Sequence, residues 1–158
     1  MIDIFQDYVA WRILRHFAMK PRSKVYVNEL AKELELSAGS CSAILAGFES
    51  DGILEKKIFG RAKYYSLADT YVTHELRRFV GLMEVHRSGL AKAIEEQAQG
   101  LATAAVYGSF AAGDFDEGSD LDVIIIAPGK PALDLAEQET ALGRDVNALD
   151  FVRRAEEV

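Results

Sequence analysis

Two acidic side chains, Asp120 and Asp122, stand at the head of the hydrophobic run Val123-Ile124-Ile125-Ile126. If that run is a strand, alternation puts both carboxylates on one face. Side by side they repel each other unless a cation lies between them. Hard divalent ions, Mg²⁺ or Mn²⁺, are held by such oxygens together with substrate phosphates. Upstream, Gly108-Ser109 ends the small apolar run Leu101–Tyr107. A glycine there lets the backbone come close to a ligand, and backbone N–H groups with the serine hydroxyl can donate to phosphate oxygens. Ten residues separate Ser109 from Asp120. A Gly-Ser pair alone is an ordinary turn and an isolated Asp-x-Asp an ordinary solvated loop end. Together at this spacing they point to a phosphate group held beside a metal.

The elements that must position these groups can be read from periodicity. Residues 101–107 suit a buried strand, 110–113 turn into a short helix, and 114–119 form a polar loop before the acidic strand. A helix is expected over 131–142, followed by a strand through Val146-Asn147-Ala148-Leu149-Asp150-Phe151.

Gly108-Ser109-(x)10-Asp120-x-Asp122, set on strand, turn, helix and strand, resembles the minimal nucleotidyltransferase family of the polymerase-beta superfamily over residues 100–155. The resemblance implies a small mixed sheet flanked by helices. Gly108 and Ser109 would hold the triphosphate of an NTP, with ATP the first choice. Asp120 and Asp122 would hold metal ions for in-line attack at the α-phosphate, giving a nucleotidylated acceptor and pyrophosphate. Members of the superfamily usually add a third carboxylate from a later strand, and here that position falls on Asn147. Asp145 shares its face, and Asp150 does so only if the strand bulges. Either of them substitutes, which makes Asp120, Asp122, Asp145 and Asp150 the candidate catalytic set, or catalysis is weak or absent. Arg144 reads as a surface arginine rather than a phosphate contact. Some minimal members are antitoxins that adenylylate a partner toxin, so a partner protein is one candidate acceptor.

The first part of the chain has a different character. Ile4, Phe5, Tyr8, Val9, Trp11, Ile13, Leu14 and Phe17 recur at helical spacing before Pro21. A short β run, Lys24–Val27, precedes a helix capped by Asn28. Ser37 is the next cap, with Cys41, Ile44, Leu45 and Phe48 as the inward stripe of a third helix. Asp51-Gly52 stops it, and Ile53–Phe59 with Ala62–Leu67 read as a hairpin. This order resembles a winged helix-turn-helix over about 65 residues. The resemblance implies 37–50 as recognition helix and the hairpin as wing. The outward residues of that helix, Ser40 and Ser42 among them, include none of the Arg, Lys, Asn or Gln that read base edges bidentately. Lys56, Lys57, Arg61 and Lys63 on the wing would serve as phosphate contacts. Docking and dimerisation are uses of the same fold.

Between the two parts, residues 69–99 read as a helical connector interrupted at Ser88-Gly89. Val72, Leu76, Phe79, Val80 and Met83 share one face, and His74 and His86 have no partner at metal-ligand spacing. The chain has 158 residues, a net charge of −7 and one cysteine, which rules out an intramolecular disulfide framework. Residues 1–70 hold ten basic and nine acidic side chains, +1, whereas 71–158 hold eight and sixteen, −8. No apolar stretch is long enough to span a membrane, and no signal peptide is evident. The expected architecture is therefore α+β: a winged helix-turn-helix at 1–68, the connector, and a mixed-sheet nucleotidyltransferase-like α/β domain at 100–158. A cytoplasmic homodimer is expected, with a nucleotide as ligand and DNA or a protein as further partner. The rivals to an enzyme are a regulator that senses nucleotide without turnover and a structural docking module.

Overall fold

The computed structural model describes residues 8–60 and 62–152, with backbone alone at 59, 62, 151 and 152. The chain divides into two compact units at Val80/Gly81, inside the stretch read as a connector.

In the first unit the order is α1 (Val9–Met19), β1 (Val25–Tyr26), α2 (Val27–Glu33), α3 (Ala38–Ser50), β2 (Leu54–Phe59) and β3 (Ala62–Leu67). The strands form an antiparallel sheet of order β1-β3-β2, with Val25 opposite Tyr65 and Leu54 opposite Leu67. Ile13 and Phe17 of α1, Leu30 of α2, Cys41 and Leu45 of α3, and Leu54 of β2 close one core. Ile44 and Phe48 pack against it, completing the stripe expected of α3. Ser37 caps α3, its Oγ accepting from Ser40 N at 3.0 Å, which satisfies one of the helix's orphan donors. Gly52 at φ +71° ends it, and Ile53 N returns to Phe48 O at 2.9 Å. The second helix departs from expectation. Strand passes into helix with no intervening residue, so Tyr26 holds the cap position without a side-chain bond and Asn28 is already helical. The residues before Tyr8 assigned to the first helix lie outside the described part.

A helix, α4 (Tyr71–Arg87), crosses the boundary. Its inward stripe is turned from the expected one. Thr73, Arg77, Val80 and Glu84 are buried, while Val72 and Phe79 are 58% and 48% exposed. The start of the helix explains the rotation. Thr70 and Thr73 cap each other's N–H groups at 3.2 and 3.0 Å, and Thr73 Oγ1 also donates to Ala68 O at 2.6 Å, drawing Thr73 inward.

The second unit continues with α5 (Leu90–Gln97), β4 (Thr103–Tyr107), α6 (Gly108–Ala112), β5 (Leu121–Ala127), α7 (Ala136–Leu142) and β6 (Val146–Val152). Gly89, left-handed at φ +74°, separates α4 from α5 where the sequence placed the interruption. The sheet is mixed as expected, order β4-β5-β6, with β4 antiparallel and β6 parallel to β5. Along β5, Leu121, Val123, Ile125 and Ala127 are buried, while Asp122, Ile124 and Ile126 on the opposite face are half-buried.

Two readings of this unit need correction. The run at 101–107 was expected to be a buried strand, yet β4 lies at an edge and exposes Thr103, Ala104 and Ala105. Its side chains are too small to reach far from an edge position. The helix expected over 131–142 begins only at Ala136. Residues 130–135 have no regular secondary structure. Asp134 is then held by the Gln97 side chain, N to Oε1 at 2.7 Å and Nε2 to O at 2.9 Å. No described helix is long and apolar enough to cross a membrane.

Candidate functional site

The central strand sets the site. Asp122 is the second residue of β5, paired with Tyr107 on β4 and Asn147 on β6. Asp120 immediately precedes the strand, and alternation brings its side chain to the same face. The Asn147 amide joins them, its Nδ2 lying 3.2 Å from Asp120 Oδ2 and 3.5 Å from Asp122 Oδ1. The two carboxylates therefore converge on one amide at the head of the sheet.

Gly108 closes the other side. It has φ +66°, a conformation L side chains seldom adopt, and a Cβ there would come within 2.5 Å of Asp122 Oδ2. Glycine is required twice over, for the turn and for the approach of backbone to carboxylate. Ser109 follows at once, half-buried, with its carbonyl accepting from Asp114 N at 2.9 Å. The strand end, the turn and the acidic pair are thus neighbours.

Of the other two predicted acids, Asp145 adjoins the start of β5 and Asp150 lies further along β6. Asp145 is exposed, and its carbonyl accepts from Leu121 N at 2.9 Å, one step before the β5–β6 pairing begins. Asp150 lies opposite Ile125, three rungs from the Asp122–Asn147 pair and on the other face. Among the described residues, no group of three or more His, Cys, Asp or Glu could hold a metal ion. Two carboxylates and an amide are the polar side chains brought together at the head of the sheet.

Sequence reasoning missed what fixes these groups. Arg144, expected at the surface, is half-buried over the Phe110 and Phe115 rings, with Cζ 4.7 and 5.6 Å from their centroids. Burial pushes its pKa down, opposed by the charges of Asp116, Glu117 and Asp120. The nearby Gly-Arg-Asp sequence carried no sign of stacking, because the rings come from a distant turn.

Residues 87–156 match the nucleotidyltransferase domain family. The match lies wholly within the second unit and includes Gly108, Ser109, Asp120, Asp122 and Asn147. Comparison with curated proteins and with solved structures gave no match. The nucleotidyltransferase domain supports a general nucleotidyl transfer activity with a nucleotide as substrate.

The positions expected to contact DNA are spread over the first unit. Lys56 pairs with Glu49 at 2.6 Å and Lys57 with Glu55 at 3.5 Å. Lys57 lies opposite Tyr64 and Lys63 opposite Ile58, so adjacent rungs send the two lysines to opposite faces of the hairpin. Ser40 Oγ is bonded to Ser37 Oγ at 2.8 Å, and Ser42 is exposed. Arg61 lies outside the described residues.

Proposed function

We propose that the second unit transfers a nucleoside monophosphate from an NTP, ATP first, to the hydroxyl of an acceptor. What carries this reading is the convergence of Asp120 and Asp122 on Asn147, beside a glycine whose backbone closes on Asp122. In this reading Gly108 and Ser109 hold phosphate oxygens through backbone N–H groups and the Ser109 hydroxyl. Asp120 and Asp122 hold a divalent cation, Mg²⁺ or Mn²⁺. Two carboxylates, an amide oxygen after rotation of Asn147, and substrate phosphates make a set of hard oxygen donors that fits such an ion. When bound, the ion offsets phosphate charge during in-line displacement. The acceptor hydroxyl gives up its proton to water as its oxygen forms a bond to the α-phosphorus, the bond from that phosphorus to the bridging oxygen of the β-phosphate breaks, and pyrophosphate leaves. A partner protein supplies the acceptor hydroxyl. Transfer of α-phosphate label from ATP with Mg²⁺ to a co-expressed partner is the expected result, abolished in Asp120→Ala/Asp122→Ala. Label transfer unchanged in that variant would count against the assignment.

One observation favours a second reading, a nucleotide sensor without turnover. Asn147 stands against both carboxylates, where an acid would complete a three-carboxylate set, and an amide neither balances charge nor accepts a proton. Asn147→Asp separates the readings. A sensor gains Mn²⁺ affinity and transfer activity in the variant, whereas an enzyme already organised around the amide gains neither.

For the first unit we infer a winged helix-turn-helix, supported by the order α1-β1-α2-α3-β2-β3 and the β2–β3 hairpin that ends it. DNA contact through α3 and the wing, and a homodimer, belong to this reading. Because Lys56 and Lys57 are already paired with carboxylates, the expected affinity is weak and strongly salt-dependent. A mobility shift unaffected by charge reversal at both lysines would remove the wing from the interface.

A further inference from the structure

The two halves of the site lie on separate segments, Gly108-Ser109 on one and Asp120-Asp122 on the other, with a loop between them. That loop is internally closed at its end. Asp116 N donates to Ser119 Oγ at 2.9 Å, Gly118 N to Asp116 Oδ1 at 2.9 Å, and Ser119 N to Asp116 O at 3.2 Å. One side chain contacts the residues adjoining both halves. Arg144 Nη1 donates to Ser119 O at 2.7 Å and to Asp116 O at 3.2 Å, so it grips the residue immediately before Asp120. Its guanidinium also lies over Phe110, the residue immediately after Ser109. Phe110 and Phe115 are stacked at 4.1 Å and 10°. Behind them is Gly81 of α4, where a Cβ would come within 2.7 Å of the Phe115 ring. Helix backbone, two rings and guanidinium thus lie against one another.

We propose that Arg144 is a positioning residue that sets Asp120 relative to Gly108-Ser109. This rests on the nucleotide reading given above. A planar guanidinium suits the task because its terminal Nη1 bonds two carbonyls while the face of the group covers a ring. Lysine offers a point charge on a flexible stem and cannot do both. Arg144 touches neither nucleotide nor metal in this account; it acts through Asp120.

The test is a double-mutant cycle on ATP affinity, measured by calorimetry with and without Mn²⁺. Arg144→Met and Arg144→Lys are expected to weaken Mn²⁺-dependent ATP binding by roughly tenfold or more, while metal-independent ATP binding stays unchanged. In an Asp120→Ala background neither substitution should have a further effect. Additive losses, or equal losses with and without Mn²⁺, would overturn the proposal. Hydrogen exchange gives a second readout that needs no nucleotide. Faster exchange confined to 114–120, with β4–β6 unaltered, supports the positioning role, and unaltered exchange at 114–120 refutes it. If the wild-type protein binds no ATP under either condition, the nucleotide reading fails, and the exchange result alone decides the role of Arg144.

Discussion

Both units of this chain pair carboxylates with bases, the second through Glu84–Arg87 and Glu96–Lys92, but the second also sets two carboxylates on one amide. In the first, carboxylates are matched with bases: Glu49 with Lys56, Glu55 with Lys57, and Glu33 with both Lys20 and His16. In the second, Asp120 and Asp122 face one another across a neutral amide, beside a backbone that admits no side chain. Matched surface pairs contribute little to stability and do no chemistry. Like charges held together by the fold create a demand for a cation. Each unit has its own buried core, and the acidic pair is what sets the second apart.

The largest expected effect tests whether that separation is real. Leu45→Ala removes a fully buried side chain from the first core and should cost about 2–5 kcal/mol there. Thermal unfolding should show an earlier transition for the first unit, while Mn²⁺-dependent ATP binding by the second persists. Loss of both together would mean that the units do not fold independently.

A smaller change acts on the second unit alone. Gly108→Ala forces an L residue to φ +66° and drives a Cβ against Asp122. The left-handed conformation costs about 1–2 kcal/mol, a modest loss of stability, yet nucleotide binding should disappear. Normal binding in this variant would show that the close approach is incidental to the site.

The smallest effect concerns the matched charges of the first unit. The Lys20 hydrogen bond, helped by the charges of His16 and Lys20, holds the Glu33 carboxyl below its ordinary value against the opposing effect of burial. A carboxylate with a depressed folded pKa adds stability above its unfolded pKa and loses it as pH falls through the folded value. Glu33→Gln should therefore lower stability slightly at neutral pH, with the gap to wild type closing in acid. Because the side chain is 46% exposed, solvent screening keeps the difference small. A gap that widens in acid would contradict the assigned sign.

Much of this arrangement was legible in the sequence where the signal is local. The Ser37 cap, the stripe of Cys41 and Leu45, the hairpin and the break at Gly89 follow from spacing and turn chemistry. The facing of Asp120 and Asp122 follows from alternation. What could not be read depends on contacts between distant segments. The rotation of α4 comes from Thr73 reaching Ala68, a polar anchor that hydrophobic periodicity does not register. The late start of α7 comes from the Gln97 clamp on Asp134. Arg144 looked like a surface charge because its rings lie about 30 positions away in sequence, at Phe110 and Phe115. Asn147 was visible as an amide where an acid is expected, but its bond to both carboxylates became apparent only with the register of β5 and β6.

The central claim is that Asp120 and Asp122 bind a divalent cation together with a nucleotide. Calorimetric titration of the full chain with ATP, in the presence and absence of Mn²⁺, tests it most directly. Mn²⁺ is expected to strengthen ATP binding, and Asp120→Ala/Asp122→Ala to remove the Mn²⁺-dependent part. Equal Mn²⁺-dependent binding in the two proteins would contradict it.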